Sequence, residues 1–157
     1  MMFNRILVVC TGNICRSPVA EALLKRSLPQ LEITSAGLGA VVGAGVEPQA
    51  RVIGEAAGLA LAEHKARQLT PDMVARADLI LVMSEGQRQA VGRMAPAALG
   101  KTFRLGHWLP GGGGQHGQDV PDPYRKSDDF FALVHERLVK ASELWVAHLC
   151  GDRRVTA

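Results

Sequence analysis

Val9-Cys10-Thr11-Gly12-Asn13-Ile14-Cys15-Arg16-Ser17-Pro18 follows an apolar run, Ile6-Leu7-Val8-Val9, and opens a stretch of helical periodicity, so it reads as the turn between a strand and a helix. Four consecutive apolar residues suit a strand buried on both faces, the pattern of a parallel sheet. Ser17 and Pro18 are residue types favoured at the N-cap and first position of a helix, which is expected over Pro18–Leu28. Between the two elements, the backbone N–H groups of Thr11 to Arg16 can turn inward as a concave anion nest, with the positive end of the helix dipole behind it. A phosphate dianion fits that nest, and the same field favours a thiolate at Cys10. A Cys and an Arg six residues apart are common by chance. Gly12, Ser17, Pro18 and the preceding apolar strand together make the run specific.

Working outward, strand-like and helix-like patterns alternate. Strands are expected at Arg5–Cys10, Glu32–Ala36, Leu79–Met83 and Thr102–Leu105, and helices at Pro18–Leu28, Pro48–Gly58, Pro71–Arg76, Gly86–Met94 and Ser127–His148. This alternation implies an α/β fold, a doubly wound four-stranded parallel sheet with helices on both faces. The last helix carries Phe131, Val134, Leu138, Ala141 and Trp145 at three- and four-residue spacing, a stripe that belongs in the core. Gly37–Gly45 and Pro110–Gly117, the latter holding Gly111-Gly112-Gly113-Gly114, read as loops, and the tail Asp152–Ala157 is expected to fray.

With 157 residues, the chain suits one domain, 1–157, and is too short for two. No apolar stretch approaches the roughly 18 residues that span a bilayer, and Met1 to Arg5 lead straight into a strand, so a cytoplasmic protein without membrane insertion is expected. Three cysteines, an odd number, argue against a disulfide framework. A net charge of +3 is too small to imply nucleic acid.

Cys10 is placed to attack phosphorus and form a phosphocysteine, chemistry that needs neither a metal nor a cofactor. Arg16 suits the clamp, because its planar fork holds two oxygens of a transferring phosphoryl group at once. A Gly/Pro-rich loop then leads to Asp122-Pro123-Tyr124, where Asp122 is the candidate proton donor. Asn13 tolerates the left-handed backbone that a loop wrapped around phosphate requires, and Ser17 can either hydrogen-bond Cys10 or cap the helix.

The Cys10–Pro18 run resembles the signature of low-molecular-weight protein tyrosine phosphatases, and Asp122-Pro123-Tyr124 resembles that family's second signature. Ser35-Ala36-Gly37 and His64-Lys65-Ala66-Arg67-Gln68 are similar to further landmarks, so the resemblance runs from about Arg5 to the last helix. Ser35–Gly43 and Asp122–Ser127 look most like the bacterial enzymes encoded with capsule and exopolysaccharide export machinery. The resemblance implies that Asp122 protonates the leaving phenol and then activates water. It implies that Thr11, Gly12, Asn13, Ile14, Cys15 and Ser17 surround the substrate phosphate, that Tyr124 walls the slot with Leu38 on the opposite rim, and that Ser35 and His64 brace the loop. The implied partners are a phosphotyrosine protein, a tyrosine autokinase of polysaccharide export, with inorganic phosphate and other oxyanions as inhibitors. Cys15 is either a guard that traps oxidised Cys10 or a small buried apolar residue. Cys150 is read as incidental.

Three rivals share parts of this pattern. An arsenate reductase of the same fold wants a resolving cysteine pair near positions 80–90, and Met83 to Gln89 hold none. In related arginine phosphatases the position of Ile14 looks like threonine. A phosphotyrosine-binding module without turnover should lack the nucleophile, the arginine or the acid, and all three are present. The segment after Met83 also departs from the family, with Ser84 where many relatives place an aspartate.

Overall fold

The computed structural model describes residues 3–111 and 117–151. Four strands, β1 (Arg5–Cys10), β2 (Glu32–Gly37), β3 (Leu79–Val82) and β4 (Thr102–Arg104), form one parallel sheet in the order β2-β1-β3-β4. The helices are α1 (Arg16–Ser27), α2 (Pro48–Ala56), α3 (Pro71–Arg76), α4 (Glu85–Met94) and α5 (Asp128–Gly151), with 3-10 turns at Pro96–Lys101 and Leu105–Trp108.

β1 and β3 are buried on both faces because helices cover each side, which is why their sequences are continuously apolar instead of alternating. Ile6, Val8 and Cys10 point into a larger core shared with α1, α2 and α5, whereas Leu7 and Val9 point into a smaller one with α3 and α4. Fully burying Val8 or Val9 is worth roughly 1.5–3 kcal/mol each, so this strand anchors both layers. Trp145 is 4% exposed and lies in the larger core as its spacing implied, with its indole N–H donating to the carbonyl of Leu105 at 2.8 Å. Among the described residues no helix is long and apolar enough to cross a membrane.

The strand order places the site. From β1 the chain crosses through α1 to β2 on one side, while β3 lies on the other side of β1 and feeds α4 on the opposite face. That reversal opens a crevice beyond the carboxyl ends of β1 and β3, where doubly wound sheets bind ligands. Cys10 is the last residue of β1. The glycine run Gly111–Gly114 falls mostly outside the described residues, as does the tail Asp152–Ala157.

Candidate active site

Helix α1 begins at Arg16, earlier than the sequence implied, with Cys15 at the N-cap and no side chain capping it. Ser17 is therefore not the cap. A first turn without a side-chain acceptor leaves its amides and the dipole available to an anion, and frees the Ser17 hydroxyl for another task. Ser17 Oγ lies 2.9 Å from Cys10 Sγ and accepts from Asn13 Nδ2 at 2.7 Å. That amide holds one lone pair of the hydroxyl oxygen, and either Ser17 or Cys10 can donate in the contact between them; with Ser17 donating, the hydroxyl stabilises a thiolate.

Asn13 is the hub beneath the loop. It is fully buried with φ +57°, the left-handed conformation that asparagine tolerates better than most residues. Its Nδ2 also donates to Ser35 Oγ at 3.0 Å, its Oδ1 accepts from the Arg67 backbone N–H at 3.0 Å, and its carbonyl lies 2.7 Å from His64 Nε2. Ser35 and His64 thus contact Asn13 rather than the cavity. The close approach of β2 to this loop needs a glycine, because a Cβ on Gly37 would lie 2.5 Å from the carbonyl oxygen of Thr11.

A cavity of about 200 Å³ opens above the loop, lined by Cys10, Thr11, Gly12, Ile14, Cys15 and Arg16 on one side and Gly39, Val41, Asp122 and Tyr124 on the other. Asn13 and Ser17 sit below it, not in it. Leu38 does not reach it either: its side chain packs against the smaller core, because the strand alternation that buries Ala36 turns Leu38 the same way. Gly39 and Val41 form the rim in its place, with Val41 half exposed.

Arg16 is 5% exposed, and its guanidinium donates to the carbonyl of Val120 at 2.8 Å. Its other terminal nitrogen lies 3.8 Å from Asp122 Oδ2, too far for a tight ion pair. A buried guanidinium with donors to spare at the edge of a cavity suits an anion seated there. Asp122 Oδ1 accepts from the Tyr124 backbone N–H at 3.0 Å, which fixes the turn that brings Tyr124 to the cavity mouth. The loop carrying Asp122 is tied to the sheet by Val120 N–H to the Met83 carbonyl, 2.8 Å, and by Asp119, which accepts from the Glu85 N–H and from Arg104.

The Cys15 thiol is pushed up to about 12 by burial first and by the neighbouring Cys10, Glu47 and Asp122 charges next, with Arg16 opposing. Cys15 is accordingly a neutral thiol at physiological pH. It lines the cavity on one side and a small apolar pocket beside Phe131 and His135 on the other. Cys150 is exposed and distant in sequence from the loop.

Two roles escape a reading of the sequence, that of Arg67 within the His64–Gln68 run and that of Gln87. Arg67 links Asn13 through its backbone and donates from Nε to the Ser35 carbonyl at 2.9 Å. Gln87, 8% exposed on α4, accepts from the Met83 N–H at 2.8 Å and donates to Thr11 Oγ1 at 3.1 Å. The one available signal was a polar side chain just after an apolar strand. Ser84 caps α4, accepting from the Gln87 N–H at 3.1 Å.

This loop and sheet are those of a known class: residues 5–155 match the family model of low molecular weight phosphotyrosine protein phosphatases, and the chain belongs to that family. It is 46% identical over 145 residues to the probable low molecular weight protein-tyrosine-phosphatase AmsI of Erwinia amylovora, covering 92% of this chain and 96% of that protein. Its fold matches the crystal structure of the tyrosine phosphatase Wzb from Escherichia coli K30 in complex with sulphate, with a TM-score of 0.88 and 43% identity over 94% of this chain and 99% of that one. The YwlE arginine phosphatase of Geobacillus stearothermophilus shares the fold with a TM-score of 0.85 at 30% identity, covering 96% of this chain and 95% of that one.

Proposed function

We propose that this chain hydrolyses phosphotyrosine in proteins through a phosphocysteine intermediate. One observation carries the reading: a single cavity holds the Cys10 sulfur, the buried Arg16 guanidinium and the Asp122 carboxyl, with Tyr124 at its mouth. The Cys10 thiolate attacks phosphorus in line, so that an S–P bond forms as the bond to the tyrosyl oxygen breaks. Arg16 and the loop amides hold the equatorial oxygens, whose charge is the main thing the site must stabilise. Asp122 then gives its proton to a leaving phenolate of pKa about 10, a transfer worth roughly 10²- to 10⁴-fold. As a carboxylate it takes a proton from water, which attacks the phosphocysteine and releases phosphate and the thiolate.

The burial of Cys10, 2% exposed behind the Tyr124 mouth, supports tyrosine over serine phosphate, since the longer side chain carries its phosphate farther in from its backbone. Ile14 in the wall supports tyrosine over arginine phosphate. The natural substrate, on this reading, is the tyrosine-rich tail of an autokinase governing polysaccharide export, supported by the likeness of Ser35–Gly43 and Asp122–Ser127 to the bacterial members of that kind. The test compares turnover of an aryl phosphate, phosphoarginine and arsenate by the wild type, Cys10→Ser and Asp122→Ala. Aryl phosphate should be the preferred substrate, and Cys10→Ser should abolish turnover. Phosphatase activity that survives in Cys10→Ser would sink the mechanism, and an unchanged rate for poor phenol leaving groups in Asp122→Ala would place the acid elsewhere.

A further inference from the structure

On the sheet face that carries α3, a second cavity of about 130 Å³ lies away from the Cys10 loop. Arg5, Arg67 and Arg76 line it with Thr34 and a single carboxylate, Glu32, over Leu7 and Met73. Arg5 is matched by Glu32 at 3.2 Å. Among the described residues Arg76 has only Asp72, at 3.8 Å and largely exposed, and the terminal nitrogens of Arg67 make no hydrogen bond. The cavity wall therefore carries more positive than negative charge, on planar forks that bind tetrahedral oxyanions two oxygens at a time. At roughly 30 Å³ per water, its volume equals about four waters, room for such an anion with part of its hydration shell.

Arg67 belongs to both cavities' surroundings. Its backbone N–H holds Asn13 Oδ1, its Nε holds the Ser35 carbonyl, and Asn13 holds the Ser17 hydroxyl that faces Cys10. We propose that this second cavity binds a small tetrahedral oxyanion, inorganic phosphate being the simplest, and that its occupancy is felt at the Cys10 loop through Arg67. An anion drawing on the Arg67 fork shifts the side chain whose Nε and backbone brace Asn13. By linkage, an anion in the Cys10 loop alters affinity at the second cavity by the same factor. The proposal does not depend on phosphotyrosine being the substrate.

Amide chemical shifts during titration with inorganic phosphate separate the two sites, with sodium chloride at matched ionic strength as the control. Amides of Gly12 and Ile14 report the Cys10 loop, and those of Thr34 and Ala77 report the second cavity. Two dissociation constants are expected, with Asn13 and Arg67 responding to both. Arg76→Ala, an exposed position, should weaken the second event at least fivefold, at Asn13 as at Thr34 and Ala77, and leave the first unchanged. Methylphosphonate, whose C–P bond the Cys10 loop does not cleave, in a parallel titration shows whether free phosphate or a substituted phosphoryl group is preferred. No shift at Thr34 and Ala77 up to about 50 mM phosphate, well beyond a weak affinity of ~1 mM, overturns the site. Shifts there that follow the loop's single constant in both proteins overturn it as well. A second event that leaves Asn13 unmoved overturns the link through Arg67.

Discussion

Replacing Asn13 tests the idea that one buried amide holds the nucleophile loop together. In Asn13→Gly the backbone keeps its left-handed conformation at no steric cost, and only the side-chain bonds to Ser17, Ser35 and Arg67 are lost. Three bonds at ~1 kcal/mol each give a loss of about 3 kcal/mol. Asn13→Ala loses the same bonds and adds about 1–2 kcal/mol for a Cβ at φ +57°, less the ~0.4–1 kcal/mol by which alanine has the smaller unfolded-state entropy. Alanine should thus be the less stable variant by about 0.5–1 kcal/mol. Urea unfolding at neutral pH measures both differences. Both variants should also slow alkylation of Cys10 by iodoacetamide, because a Ser17 hydroxyl released from Asn13 is no longer held in place beside the sulfur. A loss below about 1 kcal/mol in Asn13→Gly would show that the hub is dispensable. An alanine variant more stable than the glycine one would refute the strain argument, and unchanged alkylation would refute the route through Ser17.

Gly37→Ala drives a Cβ to 2.5 Å from the Thr11 carbonyl, so the loop must move; activity should fall at least about 100-fold, a positioning loss, with far-UV circular dichroism unchanged. Gln87→Met keeps the volume but leaves the Met83 N–H without its acceptor, at a cost of about 1–3 kcal/mol in urea unfolding, and frees Thr11 to rotate, which should appear as a raised KM. Cys15 bears on pH: its thiol titrates near 12 in the fold, so above the unfolded value of about 8.5–9 the unfolded chain ionises while the native one does not. Native stability should therefore fall as pH rises from 9 towards 11, by up to ~1.4 kcal/mol per unit, relative to Cys15→Ala over the same range. Equal pH slopes in the two proteins would remove Cys15 as the cause. His135, whose ordinary value is lowered by burial, works in the opposite direction, so stability should be lost as pH drops below about 6.5 and His135→Gln should lessen that loss.

Local patterns carried most of the fold. Ile6 to Val9 read as a buried strand because helices on both faces leave no polar side, and the stripe from Phe131 to Trp145 read as core because its period is that of a helix. The start of α1 differs from what these patterns imply. Ser17 and Pro18 are good capping types, yet the helix begins at Arg16, since the loop turns into helical geometry while its first amides still face the cavity. Leu38 departs from the expected rim for a related reason: which side of a strand end a residue takes depends on the alternation inherited from Ala36, and Gly39 and Val41 reach the rim instead.

The sequence by itself determined the nest, because Cys10 to Arg16 are contiguous and their order alone brings a thiol, a run of amides and a guanidinium to one turn at the end of β1. Only the tertiary structure decided what surrounds it. Arg16 meets Val120 and Asp122 across more than a hundred residues because β3 and α4 anchor the incoming loop at Met83 and Glu85. Asn13 meets Ser35, His64 and Arg67 because the parallel pairing of β1 with β2 carries those segments beneath the loop. Such contacts depend on strand order and register, which are properties of the whole packed sheet and not of any local run of residues.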